Sequence, residues 1–503
     1  MKDTMQTRSP ATPSLRLWAM LSLGALLASI LFTPARIGSQ GYFPIDDAPR
    51  HVGKAVSGKS WNEILVMRET ITTDMHHGWD SFLGFLHKRM NIGKDGLLAI
   101  SYSLCFILFA VVPLFFLKRP ESWLIVLGFC SLFDPGFSSR FLLGRPFIIG
   151  CAVLSFMLLT WRNYTGYRPP LSRMAGLAAI IALMTWLAPT SAYLFAIPLL
   201  GFALAREWTV LIRWTTCIAV GSLVGYMLTG YPVQLFRNVA YTVLSGPDPN
   251  IFSRMLVTEF QPAGGDMIIF LGVIIVLVWR SLRKKRNREA IDNPLMLNAV
   301  CGVFLGVLVA RFWVDWGRIA ACIWLVKELD EVLEEYLSFN GIKRFAFCVI
   351  TAVCFFIVMT ADVRSRWTYM VPRYPLIYEK ATPEEKTWFP DSGGIFYNDR
   401  MDFFYQTFFE NPYAPWRYVL GFEPVLMRTD DLRIYRAIQR TNGSIAAYQS
   451  WIDKMRPSDR MVLVLEGNQK PFVPNLEWRL MNVNKWIGRL PRKDTATVAA
   501  VRR

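Results

Sequence analysis

The chain has 503 residues, 53% of them hydrophobic and only 18% charged, with a formal net charge of +17. So apolar a composition excludes an ordinary soluble enzyme and points to a chain that crosses a membrane several times. The excess of Lys and Arg then marks cytoplasmic loops and headgroup contacts, not nucleic acid, for which no binding motif is present.

Lys2, Arg8 and Arg16 precede a first apolar run at 17–32. It is long for a signal-peptide core and no small-x-small cleavage site follows it, so it reads as a first span. Further apolar windows lie at 97–117, 122–134, 147–161, 171–188, 191–205, 210–229, 267–279, 294–310, 317–327 and 344–361. With the first they predict about eleven spans, the shorter ones tilted, broken or buried in protein. All eight cysteines fall in apolar stretches, which suits small buried hydrophobes better than disulfides or zinc ligands.

The basic residues fix the register. With the N-terminus in the cytoplasm, Lys118, Arg119, Arg162, Arg168, Arg206, Arg213, the cluster "RSLRKKRNR" (280–288), Lys343 and Arg344 all fall inside. Residues 34–96, 134–146, 230–266 and everything after 361 then fall outside. The first outer loop, 34–96, holds all four histidines. Within it Ile64, Met67, Ile71, Met75, Trp79, Phe82 and Leu86 recur at helical spacing, which predicts one or two amphipathic helices in the interface. Of Asp74, His76, His77 and Asp80, the pair His76 and Asp80 could share a helix face and hold a metal, but no second pair with ligand spacing accompanies them, and a structural interfacial helix is the alternative. After Ala361 the composition turns charged and proline-broken. "MVLVLEG" (461–467) reads as a buried strand and "TPEEKTW" (382–388) as a helix start, so 362–503 is expected to form a small extracytoplasmic α/β domain beside a membrane domain over 1–361.

Four stretches carry candidate chemistry, all at predicted outer loops or their edges. "QGYFPIDDAPRH" (40–51) places Asp46, Asp47, Arg50 and His51 directly after the first span. Adjacent carboxylates ionise together only with a cation nearby, and Arg50 is within reach; a helix cap with Pro49 in the first turn is the alternative. "DPGFSSRFLLGRPF" (134–147) brings Arg140 and Arg145 to the outer face, where a guanidinium fork suits phosphate or merely snorkels. "VTEFQPAGGD" (257–266) holds one carboxylate, Glu259, on a Pro- and Gly-marked loop, where a solvated acid would look the same. "VARFWVDWGR" (309–318) ends a span in Arg311, with Asp315 and Arg318 close by; it marks either a substrate path or a helix-end anchor between Trp313 and Trp316.

Taken together these stretches resemble the GT-C class of membrane glycosyltransferases, which use lipid-linked sugars and carry an essential acid in the first outer loop. "DDAPRH" is similar in place and type to that class's acidic motif. "PGFSSR" (135–140), "LVTEFQP" (256–262) and Arg311 resemble motifs of the oligosaccharyltransferase catalytic subunit. The resemblance implies a polytopic helical GT-C-like fold, Asp46, Asp47 and Glu259 as catalytic residues, and Arg50, His51, Arg140, Arg145 and Arg311 as substrate-binding residues. It departs in two places: "LLGRPF" follows the arginine motif where the family has an acidic pair for a divalent metal, and the family's acceptor-reading Trp-Trp-Asp motif is absent. The cofactor therefore stays open between none and a divalent Mg or Mn ion.

The expected activity is transfer of a sugar from a polyprenyl-phosphate or pyrophosphate donor to a glycan, lipid or protein acceptor. The expected place is the periplasmic face of an inner membrane. The other reading is a transporter, flippase or non-catalytic scaffold for lipid-linked glycans; midplane polar residues and repeat symmetry, the marks of transporters, are not seen.

Overall fold

The computed structural model describes residues 13–69, 76–161, 169–245, 267–283, 287–337, 340–368, 375–441, 443–465 and 469–491. Each apolar window of the sequence falls on a helix. In chain order the main helices are α1 (Pro13–Gly38), α2 (Asp47–Ser57), α3 (His77–Met90), α4 (Lys94–Val111) and α5 (Glu121–Phe133). Next come α6 (Pro135–Phe141), α7 (Phe147–Thr160), α8 (Leu171–Leu187), α9 (Trp208–Leu228), α10 (Met267–Leu282), α11 (Pro294–Leu308), α12 (Arg318–Tyr336) and α13 (Ile342–Thr360). The window at 191–205 is split by Pro198, which has no N–H to continue a helix and so starts the second piece, Pro198–Leu204. Among the described residues, length and apolarity suit a straight crossing in 4 helices, Arg16–Gly38, Lys94–Phe116, Trp208–Leu228 and Ile342–Thr360. The other apolar helices are shorter, so a count of about eleven spans rests on tilt or on broken helices.

Exposed Phe32, Ile212, Leu223, Phe304 and Ile350 give these helices apolar outer faces, a surface that lipid solvates and water does not. The inner faces pack Leu26, Ile30, Phe109, Trp123, Met157 and Trp324 into one core.

Side-chain contacts show how two helix pairs run. α1 and α13 run parallel: Trp18 meets Phe345 near their starts, and Gln40 Nε2 donates to the Thr360 carbonyl at their ends (2.9 Å). α12 runs against α5. Lys118 and Arg119, just before α5, bond Glu334 and Asp330 near the end of α12, while Arg318 at its start pairs with Asp134 just past α5 (3.3 Å). The bundle thus has two polar ends. Lys118, Arg119, Glu121 and Arg344 gather at one, and residues 40–51, 134–147 and 311–318 at the other.

The C-terminal region forms a five-stranded sheet of order β2-β1-β3-β5-β4. Its strands are β1 (Ile395–Tyr397), β2 (Arg417–Tyr418), β3 (Arg460–Val464), β4 (Glu477–Asn482) and β5 (Lys485–Arg489). β1 pairs in parallel with β2 and β3; β5 pairs antiparallel with β3 and β4. Helix α14 (Met401–Glu410) covers one face, where Phe403, Phe404 and Phe408 meet Phe396, Tyr418 and Val462. Helices Thr429–Arg440 and Ile445–Ile452 cover the other, against Ile395, Tyr397 and Leu463. The strand expected at 461–467 is β3, and the helix start at Thr382 is a capping box with Glu385.

The first loop differs from a continuous helical stripe. After one turn at Trp61–Ile64 the chain extends: Leu65 bridges Tyr418 and Met67 bridges Met427, so Ile64 and Met67 belong to the C-terminal sheet's core region and not to α3. Burial against Tyr418 and Phe422 overrides the helical spacing, as tertiary packing does for short apolar runs. Ile71, Asp74 and Met75 lie outside the described residues.

Candidate functional site

Asp46 caps α2. Its backbone is extended and its carboxylate accepts from the Asp47 N–H (2.7 Å), so the turn at "IDDAP" is a true helix start with Pro49 in the first turn. The same carboxylate accepts from Arg145 Nη2, and Arg145 Nε stands 3.7 Å from Asp47 Oδ2. Arg50 Nε donates to Asp47 Oδ1 at 2.8 Å. Cap and charged site are therefore one object, and the two alternatives left by the sequence do not compete.

Arg145 reaches this place because the chain turns sharply before it. Gly144 has φ 67, and a Cβ there would stand 3.0 Å from the Ala48 Cβ and 3.1 Å from the Tyr102 backbone nitrogen. Only glycine tolerates both that dihedral and that approach. Tyr42 secures the turn by donating to the Leu142 carbonyl (3.1 Å).

Burial alone would push the Asp47 carboxyl up. The charges of Arg50 and Arg145 and the Arg50 hydrogen bond outweigh it and hold Asp47 well below the usual carboxylate range. A depressed folded-state pKa stabilises the fold above the unfolded value, about 3.9 for Asp, and that contribution is lost only as pH falls through the depressed one. We therefore expect the difference in thermal midpoint between wild type and Asp47→Asn, in one detergent, to be flat from pH 5 to pH 8. It should shrink only below about pH 4. A difference that varies across the neutral range would contradict the assignment.

Arg50 and His51 are both buried. Arg50 is 1% exposed, with its guanidinium 3.8 Å over the Phe422 ring. His51 is fully buried and its Nδ1 is 2.6 Å from Asp80 on α3. The face of His76 and Asp80 is thus joined to α2, and Arg50 Nη2 lies 3.4 Å from His76 Nδ1. No group of three metal-ligating side chains occurs among the described residues.

The second half of the site is built by a reversal of the chain. α11 ends at Val309, whose extended backbone breaks the helix, and Ala310–Phe312 leads into a single π-helical turn, Trp313–Gly317. This returning segment lies directly on α11. A Cβ on Gly302 would overlap the Gly317 Cα, and one on Gly306 would lie 2.5 Å from the Trp313 Cβ. Glycines four apart allow backbones to touch in this way. The turn carries Asp315 inward, where it is 2% exposed. Arg140 from the end of α6 grips it with both arms of its fork (2.8 and 2.8 Å), and Arg311 Nε is 3.3 Å from Asp315 Oδ2. The stretch expected as an outer loop at 134–147 is thus a short helix followed by the Gly144 turn, which sends Arg140 and Arg145 to two different carboxylate centres.

The C-terminal region closes over the first centre. α14 packs on α2, with Gly53 against the Phe408 ring. Tyr405 on the same helix is held well above the usual phenol range by burial and then by Asp47 and Asp46, so its hydroxyl stays protonated beside them. Residues 40–51 and the region past 361 therefore share one end of the bundle.

Of the residues predicted from sequence, Asp46, Asp47, Arg50 and Arg145 converge on one centre and Arg140 and Arg311 on a second, joined through 140–145. His51 belongs to the support behind the first. Glu259 lies outside the described residues. Sequence reasoning passed over Tyr405, which sits in an uninformative aromatic run, and Asp134. It noted Asp315 without choosing it, although Arg311 and Arg318 flank it at helical spacing.

No family model and no curated protein matches the chain. Solved structures do share its fold. The apo oligosaccharyltransferase of Archaeoglobus fulgidus superposes with a TM-score of 0.50 at 11% identity, over 90% of this chain and 69% of that one. The arabinofuranosyltransferase AftD from Mycobacteria does so with a TM-score of 0.50 at 13% identity, over 96% of this chain. The chain spans only 40% of AftD. At these identities the likeness is one of fold: the chain shares the fold of these two membrane-protein structures.

Proposed function

We propose that the chain is a GT-C-type membrane glycosyltransferase that moves a sugar from a polyprenyl-phosphate-linked donor to an acceptor at the extracytoplasmic lip of the bilayer. The observation that carries this reading is the convergence of Asp46 and Asp47 with Arg145, one short loop from the Arg140–Asp315–Arg311 group and beneath α14. The relatives in fold are named for oligosaccharyl and arabinofuranosyl transfer, which is the same reaction class.

The donor's chain would lie against the apolar helix faces with its phosphate at the arginines. The bond from the sugar's anomeric carbon to the phosphate oxygen breaks, and its electron pair leaves with the phosphate. Arg140, Arg145 and Arg311 offset that growing charge in a low-dielectric site. The acceptor oxygen forms the new bond to the anomeric carbon. Its proton passes to the Asp46–Asp47 pair, which also orients the hydroxyl. Held in contact under α14, donor and acceptor react as neighbours, and positioning supplies much of the rate. Glu259, which precedes α10 in the sequence, is proposed to take part in the same reaction.

A divalent metal fits poorly. The place for a cation beside both carboxylates is taken by the Arg145 guanidinium, so no step is routed through an ion.

Full-length protein in nanodiscs, given a panel of synthetic polyprenyl-phosphate sugars with free polyols and oligosaccharides as acceptors, tests the reading. We expect consumption of one donor with stoichiometric release of polyprenyl phosphate. Use of nucleotide sugars in place of any lipid-linked one would overturn it.

A further inference from the structure

Arg366 lies in the segment that leaves α13. Asp362 shapes that segment: its carboxylate accepts from the Trp367 N–H (2.6 Å), the Thr368 N–H (3.2 Å) and the Thr368 hydroxyl (2.6 Å). Within the turn Ser365 has φ 58, a left-handed conformation uncommon for a non-glycine residue. Such a residue persists only where its surroundings over-determine it, and this happens often at ligand clamps.

The turn folds Arg366 back over the end of α13. Its Nη1 donates to the Val358 carbonyl (3.3 Å), and its guanidinium stands 4.4 Å over the fully buried ring of Trp367. Its Nε and Nη2 are buried without an acceptor among the described residues. Burial pulls the group down to about 10, against the opposing charges of Asp134 and Asp362, so it remains a cation at neutral pH. A buried guanidinium with idle donors is costly until an anion satisfies them.

The surroundings say which anion. Asp134, whose charge Arg366 feels, also pairs with Arg318 at 3.3 Å. Asp134 begins and Arg140 nearly ends α6, a helix of 7 residues. At 1.5 Å per residue that is about 10 Å. Arg318 and Arg366 thus stand at one end of α6, and the Arg140–Asp315–Arg311 group stands at the other. A planar fork with several donors matches phosphate oxygens, and its place at the lip suits a phosphate carried by a lipid.

We infer that Arg366 binds the phosphate of the lipid-linked donor, forming with Arg318 an entry subsite at the far end of α6 from Arg140. The inference rests on the transferase reading. It also couples the donor to the C-terminal region, because the segment that holds Arg366 is the link from α13 to the sheet.

The test titrates full-length protein in phosphatidylcholine nanodiscs with a polyprenyl phosphate and, separately, with the uncharged polyprenol. Wild type is expected to prefer the phosphate. Arg366→Ala should reduce that preference by about tenfold, in line with the loss of hydrogen bonds to a charged group. Polyprenol binding should not change. Arg366→Lys, a charge without the fork, should fall between, and it carries the test if the alanine variant shows a collapsed thermal midpoint. A full phosphate preference in both variants overturns the inference and leaves the transferase reading standing. No preference in wild type overturns both. Equal competition by inorganic phosphate or by phosphatidylglycerol would assign the subsite to free phosphate or to bulk headgroups, and would overturn the donor assignment.

Discussion

Replacing Asp46 and Asp47 together by Asn is expected to lower sugar transfer by about 10²–10⁴-fold, the range of a positioned acid–base group. Asparagine caps a helix as well as aspartate does, so the hydrogen bond that the residue 47 N–H donates to the side chain at 46 can be kept and α2 should still start where it does. What disappears is the charge. Arg145 and Arg50 lose the carboxylates they now face, and the field at the donor phosphate becomes more positive. Donor affinity should therefore hold or rise while turnover falls. That opposite movement separates chemistry from architecture, since a collapsed site would lose both. The measurements are single-turnover transfer and donor binding on the double variant, with thermal unfolding as the control for folding. Near wild-type transfer from a folded double variant would place the chemistry elsewhere than at Asp46 and Asp47.

The helices were legible because burial in lipid or in a bundle leaves a mark along the chain itself: a run of apolar residues bounded by charges. The common end of residues 40–51, 134–147 and the region past 361 was legible for the same reason, through the spacing of basic residues. The site was legible only in part. Arg140 and Asp315 are 175 positions apart, and neither stretch announces the other. Their meeting depends on Gly302 and Gly317 letting two backbones touch, a contact that glycines permit but do not advertise. Arg145 was chosen for phosphate, yet in the structure it bridges to Asp46 because Gly144 turns it toward α2. The helical spacing from Ile64 to Leu86 misled at its start, where the residues instead pair with an edge of the sheet; an apolar run of three or four residues has no period of its own.

Asp315→Leu should be far more damaging to the fold than Arg140→Leu, although the two residues make the same hydrogen bonds to each other. Asp315 serves two guanidinium groups, Arg140 through its fork and Arg311 at 3.3 Å. Removing the carboxylate strips a counter-charge from both in a nearly water-free place. Loss of one partner of a buried ion pair typically costs about 3–5 kcal/mol. Removing Arg140 leaves Asp315 its pair with Arg311, so the remaining charge is still met and the cost should stay well below that range. Activity should follow the reverse logic. Arg140→Leu removes a cation from the leaving phosphate and should depress turnover in a protein that still unfolds near the wild-type midpoint. The double variant Arg140→Leu/Asp315→Leu decides whether charge or packing governs: it should be no less stable than Asp315→Leu alone, because one of the two stranded cations is gone. If the three proteins unfold in the opposite order, the Arg140–Asp315–Arg311 group is held together by packing around Trp313 and Trp316 and not by its charges.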